Sequence, residues 1–130
     1  MSTFTEAELA YLRGGERRLA RLATISADGV PHITPTGYAH DPVLDTIDIG
    51  GHRLERTKKF RDVQGNGRVA VVIDDVLPPW KPRGVEVRGW AEAITSPEPL
   101  IRIHPERIVS WGIESEEIGV HHARSVERSR

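Results

Sequence analysis

The chain of 130 residues is long enough for one hydrophobic core and too short for two, which predicts a single domain over 1–130. Apolar residues at 38% and charged ones at 28% fit an ordinary soluble protein, and zero cysteines exclude disulfides, thiolate catalysis and Cys-ligated zinc or iron–sulfur sites. A net charge of −1 with 18 Lys+Arg argues against a general nucleic-acid binder, because the positive charge is local rather than global.

No stretch is long enough for a membrane span: the longest apolar run is Val69–Ile73, and the first residues lack a basic-then-apolar signal pattern. The expectation is a cytoplasmic protein with no membrane partner. Phe4 to Leu9 reads as a helix start, with Thr5 as N-cap, Glu8 completing a capping box, and Phe4 and Leu9 spaced as a hydrophobic staple. The pair Gly14-Gly15 is expected to stop this helix within 1–15, glycine taking the left-handed conformation at low cost. Its role is packing, on the body of the domain or on a partner subunit.

Leu19 to Ser26 reads as a strand, Ala27-Asp28-Gly29 as a tight turn and Val30 to Tyr38 as the hairpin partner. Period-two spacing puts His32, Thr34, Thr36 and Tyr38 on one face and Ile33, Pro35 and Gly37 on the other. That polar row is either a solvated outer face or a set of hydrogen-bonding groups for a ligand lying along the strand. Pro35 cannot donate to a ladder, so the strand is expected at an edge or bulged.

After Asp41-Pro42, Leu44 to Ile49 returns as a third strand and runs into Gly50-Gly51. His52 to Val63 then has neither proline nor glycine and reads as a basic helix carrying Arg53, Arg56, Lys58, Lys59 and Arg61. One reading is a solvated helix with a Glu55–Lys59 pair. The other is a phosphate grip: a glycine break after a strand end, followed by a basic helix start, offers backbone amides and cations to an anion together.

Gln64 to Gly67 reads as a loop and Arg68 to Ile73 as a buried strand. Asp74 to Gly84, with Pro78, Pro79 and Pro82 around Trp80 and Lys81, reads as a stiff excursion that is either a dimer contact or a wall of a ligand pocket. Val85 to Ile94 alternates, with Val85, Val87, Gly89, Ala91 and Ala93 inward, the small residues suiting a tightly curved sheet. Leu100 to His104 and Arg107 to Ile113 close the list of strands, and 114–130 is a polar tail. Six or seven short strands joined by tight turns, with an N-terminal helix and one basic helix between strands, predict a mainly β fold, a small antiparallel barrel.

Three stretches together resemble the split-barrel superfamily of pyridoxamine 5′-phosphate oxidase and the F420-dependent (deazaflavin) reductases. They are Leu22 to Thr36, which is similar to the opening hairpin; the pattern Arg56, Lys59, Asp62, Val63, Asn66, Arg68, Val69; and the Val85 to Ala91 strand ending in Gly-x-Ala. The resemblance spans about Leu19 to Trp111 and implies the FMN-binding type of split barrel, acting as a homodimer with cofactors in clefts at the subunit interface. By position it implies that Lys58 and Lys59, with Arg56 beside them, hold the cofactor phosphate. Thr34, Pro35, Thr36 and Gly37 with Ile49, Gly50 and Gly51 would line the ring and ribityl chain, and Trp80 and Lys81 would close the cleft from the other subunit.

Pyridoxamine phosphate oxidases of this superfamily carry an arginine and a lysine on the second strand; Thr34 to Ala39 has neither. That departure, with Pro35 and the Pro-Pro-Trp-Lys-Pro loop, favours coenzyme F420 over FMN. The resemblance thus implies an oxidoreductase moving a hydride between F420 and a small molecule. The alternatives are an FMN-binding pyridoxamine 5′-phosphate oxidase-like protein and a flavin-, F420- or haem-binding protein without turnover. No catalytic side chain is demanded, though His32 or Tyr38 is available to supply a proton. A metal site through His104, His121 and His122 is not expected, because adjacent histidines point apart in a strand. Nucleic acid is not an expected partner of the basic helix, which lacks stacking aromatics.

Overall fold

The structure, a computed structural model, describes residues 2–14 and 18–127. Helix α1 spans Glu6–Leu12 and opens on the predicted capping box: Glu8 N–H donates to Thr5 Oγ1 at 3.1 Å and Thr5 N–H donates to Glu8 Oε1 at 2.9 Å. Its C-cap is Arg13, in a right-handed conformation with φ −97°, and Gly14 is not left-handed. The expected glycine stop is therefore corrected at Gly14, and Gly15 lies outside the described residues.

Eight strands follow, against the six or seven expected: β1 Ala20–Ile25, β2 Pro31–Thr36, β3 Ala39–Asp41, β4 Thr46–Ile49, β5 Arg68–Leu77, β6 Lys81–Ile94, β7 Leu100–Trp111 and β8 His121–Ser125. They form one antiparallel sheet in the order β2-β1-β5-β6-β7-β4-β3, with β8 added on β7. The two end strands, β2 and β3, are consecutive in the chain and do not pair with each other, so the curled sheet stays open at one seam. Alternate residues of the strands fill its interior: Leu22, Ile47, Ile49, Val71, Ile73, Val85, Val87, Ile101, Ile103 and Ile108 are all buried.

Three differences from the sequence reading share one cause, the way strands of unequal length overlap. The Asp74–Gly84 excursion is the end of a β5–β6 hairpin turning at Pro78 to Trp80, and Pro82 is tolerated because β7 pairs with β6 only as far as Gly84. Strand β7 runs through Pro105, which faces a register shift in β6 and lies between the segments paired with β4 (101–103) and with β8 (107–111). The polar tail contributes β8, which fills the second half of that edge.

The basic helix is also shorter than expected. A turn and a 3-10 segment, Leu54–Arg56, follow Gly51; helix α2 covers Lys58–Gly65 and is capped by Thr57, whose hydroxyl accepts from Phe60 N–H at 3.3 Å. Gly50-Gly51 is thus not its N-terminus. Phe60 and Val63 anchor α2 in the core. Among the described residues no helix is long and apolar enough to cross a membrane.

Candidate functional site at the seam of the sheet

Pairing decides which way the polar row of β2 faces. His32, Thr34 and Thr36 stand opposite Thr24, Leu22 and Ala20, all buried, so the row points into the curled sheet. Ile33, at 66% exposure, and Pro35 take the outer face instead. The solvated-outer-face reading is corrected by this register. Thr36 is 7% exposed, and the hydroxyl oxygens of Thr34 and Thr36 are sealed without a hydrogen-bond partner among the described residues. Buried hydroxyls normally find a partner, so two orphans on one edge strand set β2 apart from the rest of the sheet.

The chain turns at Gly37-Tyr38 from β2 into β3, and there a cleft of ≈ 560 Å³ is lined by Gly37, Tyr38, Ala39, Asp48, Gly50, Gly51 and Leu100. Gly37 of the hairpin and Gly50-Gly51 of the β4 end, far apart in sequence, are thereby brought to one wall. A side chain at Gly37 would meet nothing within 4 Å, so the glycine leaves bare backbone facing free space. Tyr38 donates its hydroxyl to Leu12 O at 3.0 Å, and burial raises its pKa. That bond ties the cleft to α1 and commits the phenol as a donor. Ile49 is fully buried and belongs to the core beneath the cleft.

Beyond Gly51 the backbone passes through Arg53, a non-glycine residue in the left-handed region with φ 50°. Arg56 and Lys58 are exposed and Lys59 is half-buried. The Glu55–Lys59 pair does not form, and Lys59 has no ion pair among the described residues. Lys58 does: its ammonium lies 3.5 Å from Oδ1 of Asp62, one turn on. Asp62 is 4% exposed, accepts the Thr24 hydroxyl at 2.8 Å, and has His32 Nδ1 3.2 Å from Oδ2. Burial alone would raise the Asp62 pKa; the Thr24 hydrogen bond and the charges of Lys58 and His32 outweigh it and hold the carboxyl below its ordinary range. The cluster therefore contains an anion at neutral pH. Sequence reasoning placed Asp62 only in a motif; its pairing with His32, thirty residues earlier, depends on how α2 lies over β1 and β2.

Trp80, 66% exposed, and Lys81 stand apart, at the tip of the β5–β6 hairpin. Lys81 lines a separate groove with Leu77, Pro82, Gly112 and Ile118. Neither lines the cleft of the β2–β3 turn. A further cleft of ≈ 490 Å³, lined by Ala23, Ile25, Pro31, Ala70, Arg88 and Gly89 among others, contains none of the predicted residues. The cleft of the β2–β3 turn contains Gly37, Gly50 and Gly51 of the predicted residues, while Thr34, Thr36, Arg56, Lys58 and Lys59 are not among the residues that line it. Among the described residues no group of three or more His, Asp or Glu side chains is arranged to hold a metal.

A family profile described as pyridoxamine 5′-phosphate oxidase matches residues 4–127. The 5a,11a-dehydrotetracycline/5a,11a-dehydrooxytetracycline reductase of Streptomyces rimosus subsp. rimosus is 40% identical over 134 residues, covering 95% of this chain and 93% of that protein. Among solved structures, a heme binding protein from Mycobacterium smegmatis superimposes with a TM-score of 0.70 at 14% identity; the match covers 96% of this chain and spans only 60% of that one. A protein described as an F420 reductase superimposes with a TM-score of 0.61 at 19% identity, covering 88% of this chain and 100% of that one. These two structural likenesses bear on the fold alone.

Proposed function

The chain belongs to the pyridoxamine 5′-phosphate oxidase family, and from the seam cleft we propose that it is an oxidoreductase transferring a hydride between coenzyme F420 and an unsaturated small molecule. The observation that supports this reading is a pair of unpartnered buried hydroxyls, Thr34 and Thr36, on the strand that leads directly into Gly37 and the glycine-walled cleft of Gly37, Gly50 and Gly51. A flat ring with carbonyl and ring N–H groups suits such a wall, since hydroxyls and bare backbone satisfy its edge while the open space accepts its plane. FMN is the alternative cofactor. F420 is favoured because β2 lacks the arginine and lysine of the FMN-phosphate grip.

The residues present fit the group. Arg56, Lys58 and Lys59 would hold its phosphate, Arg56 and Lys59 having no carboxylate partner among the described residues and Lys58 already leaning on Asp62. Thr34 and Thr36 would hold the ring edge, and Gly37, Gly50 and Gly51 would admit its face. When bound, the cofactor supplies the hydride; the protein's part is to orient the two partners and exclude water. The 40% identical relative is named for reducing dehydro compounds, which supports a substrate that gains two hydrogens, such as one with a carbon–carbon double bond.

The same reading pairs two copies of the chain, so that Trp80 and Lys81 of one copy close the cleft of the other. The exposure of Trp80 at a hairpin tip, with Lys81 lining a groove that holds none of the other predicted residues, supports that arrangement. An assay of reduced F420 oxidation over a panel of enones and quinones tests the activity. Turnover on enones is the expected result, and binding without turnover on any member of the panel contradicts it.

A further inference from the structure

We propose that the cleft on the outer face of the sheet, floored by Ala23 and Ala70 and rimmed by Arg88 and Arg107, is a binding site for a planar aromatic carboxylate. None of the predicted cofactor residues lines it, so the proposal stands apart from the hydride-transfer reading.

Register places the cleft. Leu22, Val71, Val87 and Ile108 pair in one row across β1, β5, β6 and β7, and all four are buried in the core. The neighbouring row, Ala23, Ala70, Arg88 and Arg107, therefore points the other way, and on β2 it continues into the exposed Ile33. The solvated face of an antiparallel sheet is ordinarily polar. Here Ala23, Ile25, Pro31 and Ala70 form an apolar floor, and two alanines side by side on adjacent strands leave a hollow that larger side chains would fill. The hollow measures ≈ 490 Å³, within the size range of small-molecule sites.

The far wall is basic. Arg88 and Arg107 stand directly opposite each other on β6 and β7, an arrangement of like charges that is destabilising unless something neutralises it. Arg88 is met by Glu86, with bonds of 3.0 and 3.1 Å, and the third arginine of the wall, Arg68, by Glu106 at 2.9 Å. Arg107 has the Ser125 hydroxyl at 3.2 Å and no carboxylate among the described residues. One guanidinium is left over, which matches a single negative charge.

These features together choose the ligand. An apolar floor takes the face of a ring and disfavours a strongly hydrated phosphate dianion, while a planar guanidinium takes the edge of a carboxylate. A second copy of the chain fits less well, because a two-fold contact centred on this cleft would set the same surplus positive charge against itself.

The test titrates the protein with 2-naphthoate, and with 2-naphthalenemethanol as its neutral counterpart, followed by amide NMR. Naphthoate should give saturable shifts at Ala23, Ala70 and Arg88 with a Kd of about 1 mM or tighter, and the alcohol should bind about tenfold more weakly. Arg107→Gln should bring naphthoate down to the level of the alcohol. Ala70→Leu, which fills the floor from the solvent side and leaves the core untouched, should abolish binding of both. Shifts that do not saturate, equal affinity for acid and alcohol, or binding unchanged in both variants overturns the proposal. Sedimentation velocity of wild type and Ala70→Leu tests the other occupant: a dimer that Ala70→Leu splits shows that a second copy fills the cleft, and overturns the proposal as well.

Discussion

Arg124 and Glu8, 116 positions apart, form a two-pronged ion pair in which the carboxylate is fully buried. Burial would raise the Glu8 pKa, but Arg124, the Ser110 hydroxyl at 2.6 Å and the Thr5 amide outweigh it and hold the carboxyl below its ordinary value. The guanidinium also donates to Thr3 O at 2.7 Å, so one side chain staples β8 to the start of α1. Arg124→Ala should cost about 2–3 kcal/mol, less than the ~3–5 of a fully buried pair because Arg124 is about one-third exposed. Denaturant unfolding measures it; a cost under about 0.5 kcal/mol contradicts the staple.

Acid should act through Asp75. It accepts two bonds from Arg83, at 2.7 and 2.9 Å, and one from the Tyr11 hydroxyl at 2.8 Å, and these hold its pKa at about 2, against 3.8 ordinarily. A depressed carboxylate pKa contributes stability that is present above the unfolded pKa and lost as pH falls from about 4 through about 2. Asp75→Asn should therefore destabilise the protein at pH 7 by on the order of 2 kcal/mol and by much less at pH 2. Equal losses at the two pH values contradict the assignment.

Gly89 is the residue that β7 cannot let grow. It stands at the register shift between β6 and β7, and a Cβ there would overlap the carbonyl of His104, backbone that cannot rotate aside. Gly89→Ala should destabilise by about 1–3 kcal/mol in equilibrium unfolding. An unchanged midpoint would show that the bulge relaxes freely.

Much of this fold is written locally. Thr5 and Glu8 specify the α1 start, Asp28-Gly29 the first hairpin, and the Val85-to-Ala93 alternation the inward face of β6. What the sequence hides depends on neighbours. Pro82 and Pro105 look like strand breakers, yet each occupies a position with no partner strand on its donor side. Strand β8 is polar because an ion pair and a backbone ladder hold it, so hydropathy gives no signal. The site divides the same way: Gly50 and Gly51 read as a break after a strand and Gly37 as a strand residue, whereas the inward turn of Thr34 and Thr36 follows from the β1 register and the Asp62–His32 pairing from the lie of α2.

Lys59 and Lys58 should not be equivalent. Lys59 has no carboxylate partner among the described residues, while Lys58 shares Asp62. Lys59→Ala should weaken cofactor binding by about 1.5–3 kcal/mol, the value of a charge-assisted contact, and Lys58→Ala by less. Binding titrations of the two variants decide; unchanged affinity for Lys59→Ala removes the phosphate assignment.

Thr36→Val keeps the shape and deletes the sealed hydroxyl. Apo stability should stay level or rise, since an orphaned polar group is removed, while cofactor affinity falls by about 1 kcal/mol. Loss of apo stability with affinity unchanged would make the hydroxyl structural.

The most direct measurement of the seam as a deazaflavin site is a side-by-side titration of apo-protein with F420 and FMN, followed by cofactor fluorescence. Tight F420 binding, with FMN weaker by at least about tenfold (~1.4 kcal/mol), is the predicted result. Tight binding of FMN alone, or of neither, contradicts it.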